Sequence, residues 1–202
     1  MAVSREAAAS HVSFFMGRKM QNDSDRFFVL TGGPGSGKTT LITALQQAGF
    51  ATSVEAGRGI IRDQSAIGGT ALPWNDRPLF AELMLSWEMG SYQTAIEQTG
   101  PVFFDRGVPD TLGYLKLSGL PVAAHIRTAA MRFRYNPRVF IAPPWPDIFT
   151  QDEERKQTSD EAERTYHALA AVYTELGYEL VPLPLSPVEA RVGFVLAEAG
   201  LK

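Results

Sequence analysis

A glycine-rich segment near the start of the chain carries the pattern with the most specific chemistry. The segment from Gly32 to Thr39 reads GGPGSGKT and matches the spacing G-x-x-x-x-G-K-[ST] at every fixed position. An apolar run, Phe27 to Leu30, precedes it, and a helical pattern from about Lys38 to Gln47 follows. Glycines let backbone N–H groups curl around phosphate oxygens, and the helix N-terminus adds positive charge. The segment predicts a nucleotide-binding phosphate loop; the alternative is a glycine-rich turn with a chance lysine.

The side chains of this loop have distinct expected roles. Lys38 is expected to reach the β- and γ-phosphates, and the Thr39 hydroxyl to be a ligand for Mg²⁺. We therefore expect ATP and Mg²⁺ as the bound pair. The residues predicted to bind the nucleotide are Gly33, Pro34, Gly35, Ser36, Gly37, Lys38, Thr39 and Thr40.

An acid and an arginine follow the apolar run from Val102 to Phe104. A carboxylate at the end of such a strand can hold a magnesium-bound water or orient a nucleophile, so Asp105 is predicted as a metal-side and catalytic residue. Hydrolytic motors usually have a glutamate at the next position to activate water, whereas this chain has Arg106. The arginine predicts a contact to phosphate or substrate. The alternative is that Asp105 merely caps the next helix.

Glu55 follows the predicted strand from Phe50 to Val54 and is the predicted acceptor-side carboxylate. A carboxylate there can accept a hydroxyl proton as general base, a role that Asp105 could also fill. Arg58 or Arg62 would then bind an anionic or sugar part of the acceptor. The alternative is a solvated acid at a helix start.

The segment from Asp147 to Lys156 is rich in charge. Arginines that close over the γ-phosphate stabilise charge during phosphoryl transfer and exclude water. Arg155 is the first candidate for this catalytic role, and Arg164 is the second. A charged surface loop is the alternative.

A cluster of arginines and aromatic residues between positions 127 and 138 allows three interpretations. It can bind RNA or a phosphoinositide headgroup, line an acceptor pocket, or form a solvated face. A net charge of −3 argues against a dedicated nucleic-acid binder, so we expect no nucleic-acid partner. Trp145, in the loop after the fourth predicted strand, is interpreted as a packing residue. The cluster consists of Arg127, Arg132, Phe133, Arg134, Tyr135 and Arg138.

Apolar runs alternate with helical patterns from residue 26 onward. This alternation predicts one α/β domain over residues 26–202, a P-loop fold with a mainly parallel five-stranded sheet between two layers of helices. Residues 1–25 are interpreted as an N-terminal extension. Ligands of such sheets bind beyond the carboxyl ends of the strands, which gathers the phosphate loop, Glu55 and Asp105 around one crevice. The predicted strands are Phe27–Leu30, Phe50–Val54, Val102–Phe104, Arg138–Ala142 and Tyr178–Pro182.

Capping residues mark several helix starts. Asn75 and Asp76 are the predicted helix-start residues before one long helical stripe, and Thr158 with Glu161 has capping-box spacing. Ser186 is the predicted N-cap of the last helix, with Pro187 at the first helical position.

The composition excludes several kinds of site. The chain has 202 residues, of which 45% are hydrophobic and 20% charged, as in an ordinary globular domain. The absence of cysteine excludes disulfides, thiolate metal sites and cysteine nucleophiles, and three scattered histidines argue against a histidine-only metal centre. No apolar run approaches the roughly 18 residues of a membrane span, and the N-terminus does not resemble a signal peptide. We expect a cytoplasmic enzyme.

Taken together, these stretches resemble a family of small bacterial P-loop proteins described as predicted AAA-type ATPases, which is similar to the nicotinamide riboside kinase domain and, more loosely, to nucleoside and shikimate kinases. The resemblance implies ATP-Mg binding at Gly33 to Thr40, a lid arginine at Arg155, and a loop near Leu183 to Pro187 beside the adenine. The chain lacks the Asp-Glu pair of true AAA machines, which argues against motor-like hydrolysis. The stretches that carry the resemblance are FVLTGGPGSGKTTLI, VEAGRGII, FFDRG with Asp110 and Tyr114 following, PPWPDIFTQDEER and LGYELVPLPLSPVEARVGFVL.

The hypothesis that follows is an ATP-dependent phosphotransferase acting on a small-molecule hydroxyl or phosphate acceptor. Lys38, Arg106 and Arg155 would neutralise charge that develops on the transferred γ-phosphoryl group. Two alternatives stay open at this point: a nucleotide-dependent regulatory switch, and an ATPase that needs no acceptor.

Overall fold

Five parallel strands form the centre of the computed structural model, which describes residues 24–148 and 159–201. The strand order is β2-β3-β1-β4-β5. The strands are β1 (Phe27–Gly32), β2 (Ala51–Thr52), β3 (Val102–Asp105), β4 (Arg138–Ala142) and β5 (Glu179–Pro182). The helices of the described residues are α1 (Lys38–Gln47), α2 (Ala56–Ile67), α3 (Arg77–Glu97), α4 (Val108–Leu117), α5 (Ala124–Arg132), α6 (Ser159–Glu175) and α7 (Val188–Glu198). The predicted parallel five-stranded α/β fold is confirmed.

Two layers of helices cover the sheet because successive strand residues point to opposite faces. From β1, Phe27 and Val29 pack into the larger core beneath α3, α4, α5 and α6, while Phe28 and Leu30 pack into the core beneath α1 and α7. Every residue of β1 and β3 is therefore buried, and these strands do not alternate between apolar and polar residues, as is typical of a parallel sheet. No helix in the described ranges is long and apolar enough to cross a membrane.

The structure confirms the predicted start of α3 at Asp76, whereas the predicted N-cap of α7, Ser186, is wrong. Asp76 is the N-cap of α3, and its side chain accepts a hydrogen bond of 3.0 Å from the Leu79 amide. The prediction for α7 is wrong by one residue, because the extended backbone of Pro187 makes that residue the N-cap. The Ser186 hydroxyl therefore lies too early to cap, and it is buried without a hydrogen-bond partner. Thr158 lies outside the described residues.

The basic and aromatic cluster does not form a stacking surface. Phe133 and Tyr135 are buried in the larger core, so the interpretation that their rings stack on RNA bases is wrong. Arg134 lies over the Tyr178 ring, with 4.0 Å between the guanidinium carbon and the ring centroid. Arg138 pairs instead with glutamates of β5 and α7. In the segment between α5 and β4, the side chains of Phe133 and Tyr135 therefore point into the core.

Candidate nucleotide and acceptor site

The phosphate loop joins β1 to α1 and holds its lysine against its own backbone. Lys38 is the first residue of α1 and is only 7% exposed. Its Nζ donates to the Gly33 carbonyl at 2.5 Å and to the Ser36 hydroxyl at 3.1 Å. The Ser36 hydroxyl donates to the same carbonyl at 2.8 Å. The ammonium group is thus already inside the loop, where a polyphosphate would meet it.

Two glycines of the loop lie where no other residue fits. Gly37 caps α1 with φ 73°, and a Cβ atom there would come within 2.6 Å of the Arg191 guanidinium. A Cβ atom at Gly33 would come within 2.4 Å of the Ala162 carbonyl oxygen of α6. At Gly33, backbone thus approaches backbone without a side chain in between, and at Gly37 the left-handed φ favours glycine; both features suit a loop whose N–H groups cradle phosphate oxygens. The loop fits the phosphate chain that its sequence predicts.

Arg191, on α7, supports the loop from the C-terminal part of the chain. It is 3% exposed, and its guanidinium donates to the carbonyls of Ser36 and Gly37 at 3.2 Å each. Its guanidinium carbon also lies 5.6 Å from the centroid of the Trp145 ring. The sequence analysis assigned no role to this residue. Its place on the buried face of α7, four positions before Val195, was the available signal, because a charge in an apolar stripe needs a partner.

Acids and arginines from two strand ends meet beside the loop. Glu55, the N-cap of α2, accepts from Arg106 at 3.3 Å through Oε1 and from Arg58 at 3.1 Å through Oε2. Arg106 also pairs with Asp110 at 3.1 Å. The sequence analysis had assigned Glu55 and Asp105 to one crevice, and the structure adds Arg58 and Arg106 to this cluster.

Arg106 has a strained backbone. Its φ is 75°, and among the described residues it is the only one other than glycine with a positive φ. The Arg106 amide donates to the Leu30 carbonyl of β1 at 3.0 Å, which holds the turn against the phosphate-loop strand. Left-handed backbone in a bulky residue persists only where its surroundings enforce it, and such residues concentrate at functional sites.

Asp110 enforces the position of Arg106. Its carboxylate is 2% exposed and accepts hydrogen bonds from four donors on three sides. They are the Thr31 hydroxyl at 2.6 Å, the Tyr173 hydroxyl at 2.6 Å, the Gly107 amide at 3.1 Å and the Arg106 guanidinium at 3.1 Å. Thr31 is the residue of β1 directly before the phosphate loop, and Tyr173 belongs to α6. The Asp110 carboxylate therefore connects the start of the loop, Arg106 and α6. The sequence analysis gave Asp110 no role, although an acid one helical turn after Arg106 was visible.

Burial and neighbouring charges lower the pKa of Lys38 and of Glu55 and raise the pKa of Asp105. Burial, with Arg106 second, lowers the pKa of Lys38 to about 7. Burial, with Glu55 second, raises the pKa of Asp105 to about 6. Burial also acts to raise the pKa of Glu55, but Arg106, Lys38 and Arg58 outweigh it, and the pKa of Glu55 is lowered. At neutral pH, Glu55 is therefore ionised, whereas Lys38 and Asp105 titrate close to neutrality.

The oxygen donors of the site fit a hydrated magnesium ion. Asp105 Oδ1 is buried and has no hydrogen-bond partner, and the Thr39 side chain is exposed in the first turn of α1. Within residues 24–148 and 159–201, no group of three or more metal-ligating side chains is assembled. Mg²⁺ commonly binds through one or two protein oxygens together with water and phosphate, so this sparse donor set suits it.

Two of the three further arginines named in the sequence analysis lie among the described residues. Arg62 has a side chain that is 76% exposed and pairs with Asp63, away from the Glu55 cluster. Arg164 is exposed on α6. Arg155 lies outside the described residues.

The sheet order and phosphate loop define a P-loop α/β protein, and comparisons with known structures place it among nucleotide-kinase-like folds. NadR in complex with NR has a TM-score of 0.68 and 19% identity, over 88% of this chain and 51% of that chain. Deoxyadenosine kinase from M. mycoides has a TM-score of 0.62 and 11% identity, over 86% and 98%. Thymidylate kinase from Ehrlichia chaffeensis has a TM-score of 0.59 and 13% identity, over 88% and 100%.

The family itself is shown by sequence. The AAA domain family matches residues 27–191, and the chain belongs to that family. The chain spans only 51% to 59% of the length of the NadR chains that it resembles. None of the curated proteins matches it in sequence.

Proposed function

We propose that this protein is an ATP-dependent phosphotransferase that moves the γ-phosphoryl group of ATP to a hydroxyl of a small-molecule acceptor. One observation carries the proposal: a phosphate loop with a buried lysine lies beside a cluster of two acids and two arginines, Glu55, Asp105, Arg58 and Arg106. The kinase names of the similar folds support it, as does the NadR structure that contains NAD and AMP-PNP.

On the nucleotide side, the loop from Gly33 to Thr40 would bind the triphosphate through its backbone N–H groups. Lys38 would contact the β- and γ-phosphates. The Thr39 hydroxyl and, through water, Asp105 Oδ1 would hold Mg²⁺. When bound, Mg²⁺ neutralises charge on the phosphate oxygens. The loop from Leu183 to Pro187 would lie beside the adenine.

On the acceptor side, Arg106 would stabilise charge on the transferred group, and Arg58 would bind an anionic or sugar part of the acceptor. Glu55 and Asp105 are the two candidates for the base that accepts the hydroxyl proton. Arg155 or Arg164 would close over the γ-phosphate and exclude water. Arg106 stands where hydrolytic motors have a water-activating glutamate, which favours transfer to an acceptor over hydrolysis.

The test follows ADP formation from ATP and Mg²⁺ with a panel of nucleosides, cofactor precursors and sugar acids. We expect at least one acceptor to stimulate ADP release. Lys38→Ala should lower the rate by at least about 100-fold. Lys116→Ala is the matched control, because this lysine lies on α4, pairs with Glu175 and should change the rate by less than about twofold.

Two results would contradict the proposal. Turnover that no acceptor stimulates would indicate a plain ATPase. Slow turnover together with a partner that binds only one nucleotide state would indicate a switch.

The pH dependence of the same reaction separates the two candidate bases. A base must be deprotonated to act, so the rate falls as the pH drops through its pKa. An acid limb near pH 6 that Asp105→Asn removes would assign the base to Asp105, whose pKa is about 6. A rate that stays level through pH 6 would assign it to Glu55, whose pKa is lowered.

A further inference from the structure

Glu88 is a buried acid that none of the roles above uses. It lies on the inner face of α3, is 1% exposed, and has no hydrogen-bond partner at either carboxylate oxygen. A buried polar group without a partner destabilises the folded state, and a leucine at this helical position would not carry that penalty. The fold of the described residues therefore gains nothing from this carboxyl group, which points to a ligand outside the protein.

The position of Glu88 on α3 is next to the candidate site. Met84, one turn earlier, packs in the small apolar cluster between α2 and α3. Tyr92, one turn later, packs against Phe104 on β3, the strand that ends in Asp105. Glu88 thus lies between two apolar clusters, both of which adjoin the acids and arginines of the site. The charged side chains that act on it electrostatically are Asp110, Arg106, Asp105 and Glu55.

These surroundings favour the neutral form of the carboxyl group. Burial, followed by the nearby Asp110, raises the pKa of Glu88 well above its ordinary value. A neutral carboxyl group presents one O–H donor and one carbonyl acceptor side by side in a plane. Its complement is a planar group with an adjacent acceptor and donor, which is what a carboxamide, a lactam or the N–C–NH₂ edge of an aminated ring offers.

We propose that Glu88 is a specificity-determining residue of the acceptor site, where its carboxyl group pairs with the amide-like edge of a planar nitrogen heterocycle. The inference rests on the proposed function, which puts the reacting hydroxyl beside Asp105 and Arg106. The acceptor is then a ring-bearing alcohol of the nucleoside type. Its ring would contact the apolar and aromatic side chains that flank Glu88, as flat ligands commonly do.

A surface groove lies beside α3. It opens between α2 and α3 with a volume of about 220 Å³. Leu83 and Trp87 line it, and they are the sequence neighbours of Met84 and Glu88, which are buried and do not line the groove themselves. Met84 has an unbranched, adaptable side chain that can turn aside to admit a ring. The side chains that line the groove are Ile60, Asp63, Gln64, Leu83, Ser86 and Trp87.

The first arm of the test measures stability without ligand. Glu88→Leu removes the unpartnered carboxyl group, so we expect the thermal midpoint to rise by about 4 °C. Glu97→Leu, at an exposed position of the same helix, controls for helix propensity and should change the midpoint by less than about 1 °C. A purely structural role for Glu88 would give the opposite sign, a clear loss of stability.

The second arm measures acceptor binding by calorimetry with ADP and Mg²⁺ present. The probes are adenosine, cytidine and nicotinamide riboside, with ribose as the ringless control and nicotinic acid riboside as the carboxylate counterpart. We expect the wild-type protein to bind at least one of the first three, and Glu88→Leu to weaken that binding by about 10- to 100-fold. Glu88→Gln keeps a donor and an acceptor, so it should stay within about threefold. The affinity for ATP should not change.

The outcomes separate this inference from the proposed function. If ribose binds as well as the nucleosides and is phosphorylated, or if Glu88→Leu leaves heterocycle affinity intact, the role of Glu88 is overturned while phosphoryl transfer stands. If a heterocycle binds through Glu88 without any transfer, the role of Glu88 stands and the proposed function fails. Preference for nicotinamide riboside over the nucleosides, or the reverse, identifies the ring.

Discussion

The hydrogen bond from Tyr173 to Asp110 links α6 to Arg106, and Tyr173→Phe removes it with almost no change in volume. The hydroxyl is fully buried and donates to the carboxylate at 2.6 Å. A hydrogen bond to a charged group contributes about 1.5–3 kcal/mol to stability. At about 2–4 °C per kcal/mol for a domain of this size, the thermal midpoint should fall by about 3–12 °C.

Tyr178→Phe is the matched control. The two tyrosine rings are in contact, with 5.4 Å between their centroids. The Tyr178 hydroxyl accepts a hydrogen bond from the Tyr135 amide at 3.3 Å, whereas the Asp110 carboxylate is bonded to Tyr173 instead. Loss of a neutral hydrogen bond costs about 0.5–1.5 kcal/mol, which corresponds to a fall of about 1–6 °C.

Urea unfolding of both variants gives the difference in free energy, and ADP formation reports whether Arg106 is still positioned. We expect Tyr173→Phe to lower kcat by about 10-fold with unchanged ATP affinity, because Asp110 loses one of the donors that orient it. Tyr178→Phe should stay within about twofold. Equal losses of stability and of kcat in the two variants would refute the assignment of Asp110 as the positioning residue.

Three further outcomes follow from the site. ATP binding near pH 8 should take up close to one proton, because Lys38, with a pKa of about 7, is mostly neutral there and becomes charged beside phosphate. Calorimetry in two buffers of different ionisation enthalpy measures the proton uptake. Binding without proton uptake would contradict this expectation. Asp105→Asn should raise the Mg²⁺ concentration for half-maximal ATP binding by about 10-fold, measured by titration. Arg191→Leu should weaken ATP binding by about 10-fold because two loop carbonyls lose their donor; exposed Arg138→Leu is its control, and equal affinities would contradict the role.

The fold was largely predictable because its signals are local. The predicted helix Lys38–Gln47 and strand Arg138–Ala142 agree with the structure at both ends. Hydrophobic periodicity and turn residues act over a few positions, so a short window contains them. The second strand shows the limit: it was predicted over Phe50–Val54, but β2 covers Ala51–Thr52, with one further hydrogen bond from the Ser53 amide to the Phe103 carbonyl of β3.

The candidate site likewise has features that the local sequence predicts and contacts that it does not. The phosphate loop is contiguous, so its residue types alone specify a phosphate-binding backbone. The placement of Glu55 and Arg106 near the phosphate loop could be anticipated because strand ends converge at one edge of a parallel sheet. Their pairing with each other, and the pKa shifts that follow, depend on distances across 51 residues of chain that no spacing rule contains.

The sequence by itself determined the parallel α/β fold, the phosphate loop and the strand ends where acids and arginines gather, because these depend on neighbouring residues. Only the tertiary structure decided what supports them. Arg191 reaches Gly37 from 154 positions away, and Tyr173 reaches Asp110 from 63 positions away. Glu88 is unpartnered only because of what packs around it. Contacts and burial of this kind arise when distant segments meet, so they follow from the topology of the chain rather than from any local pattern.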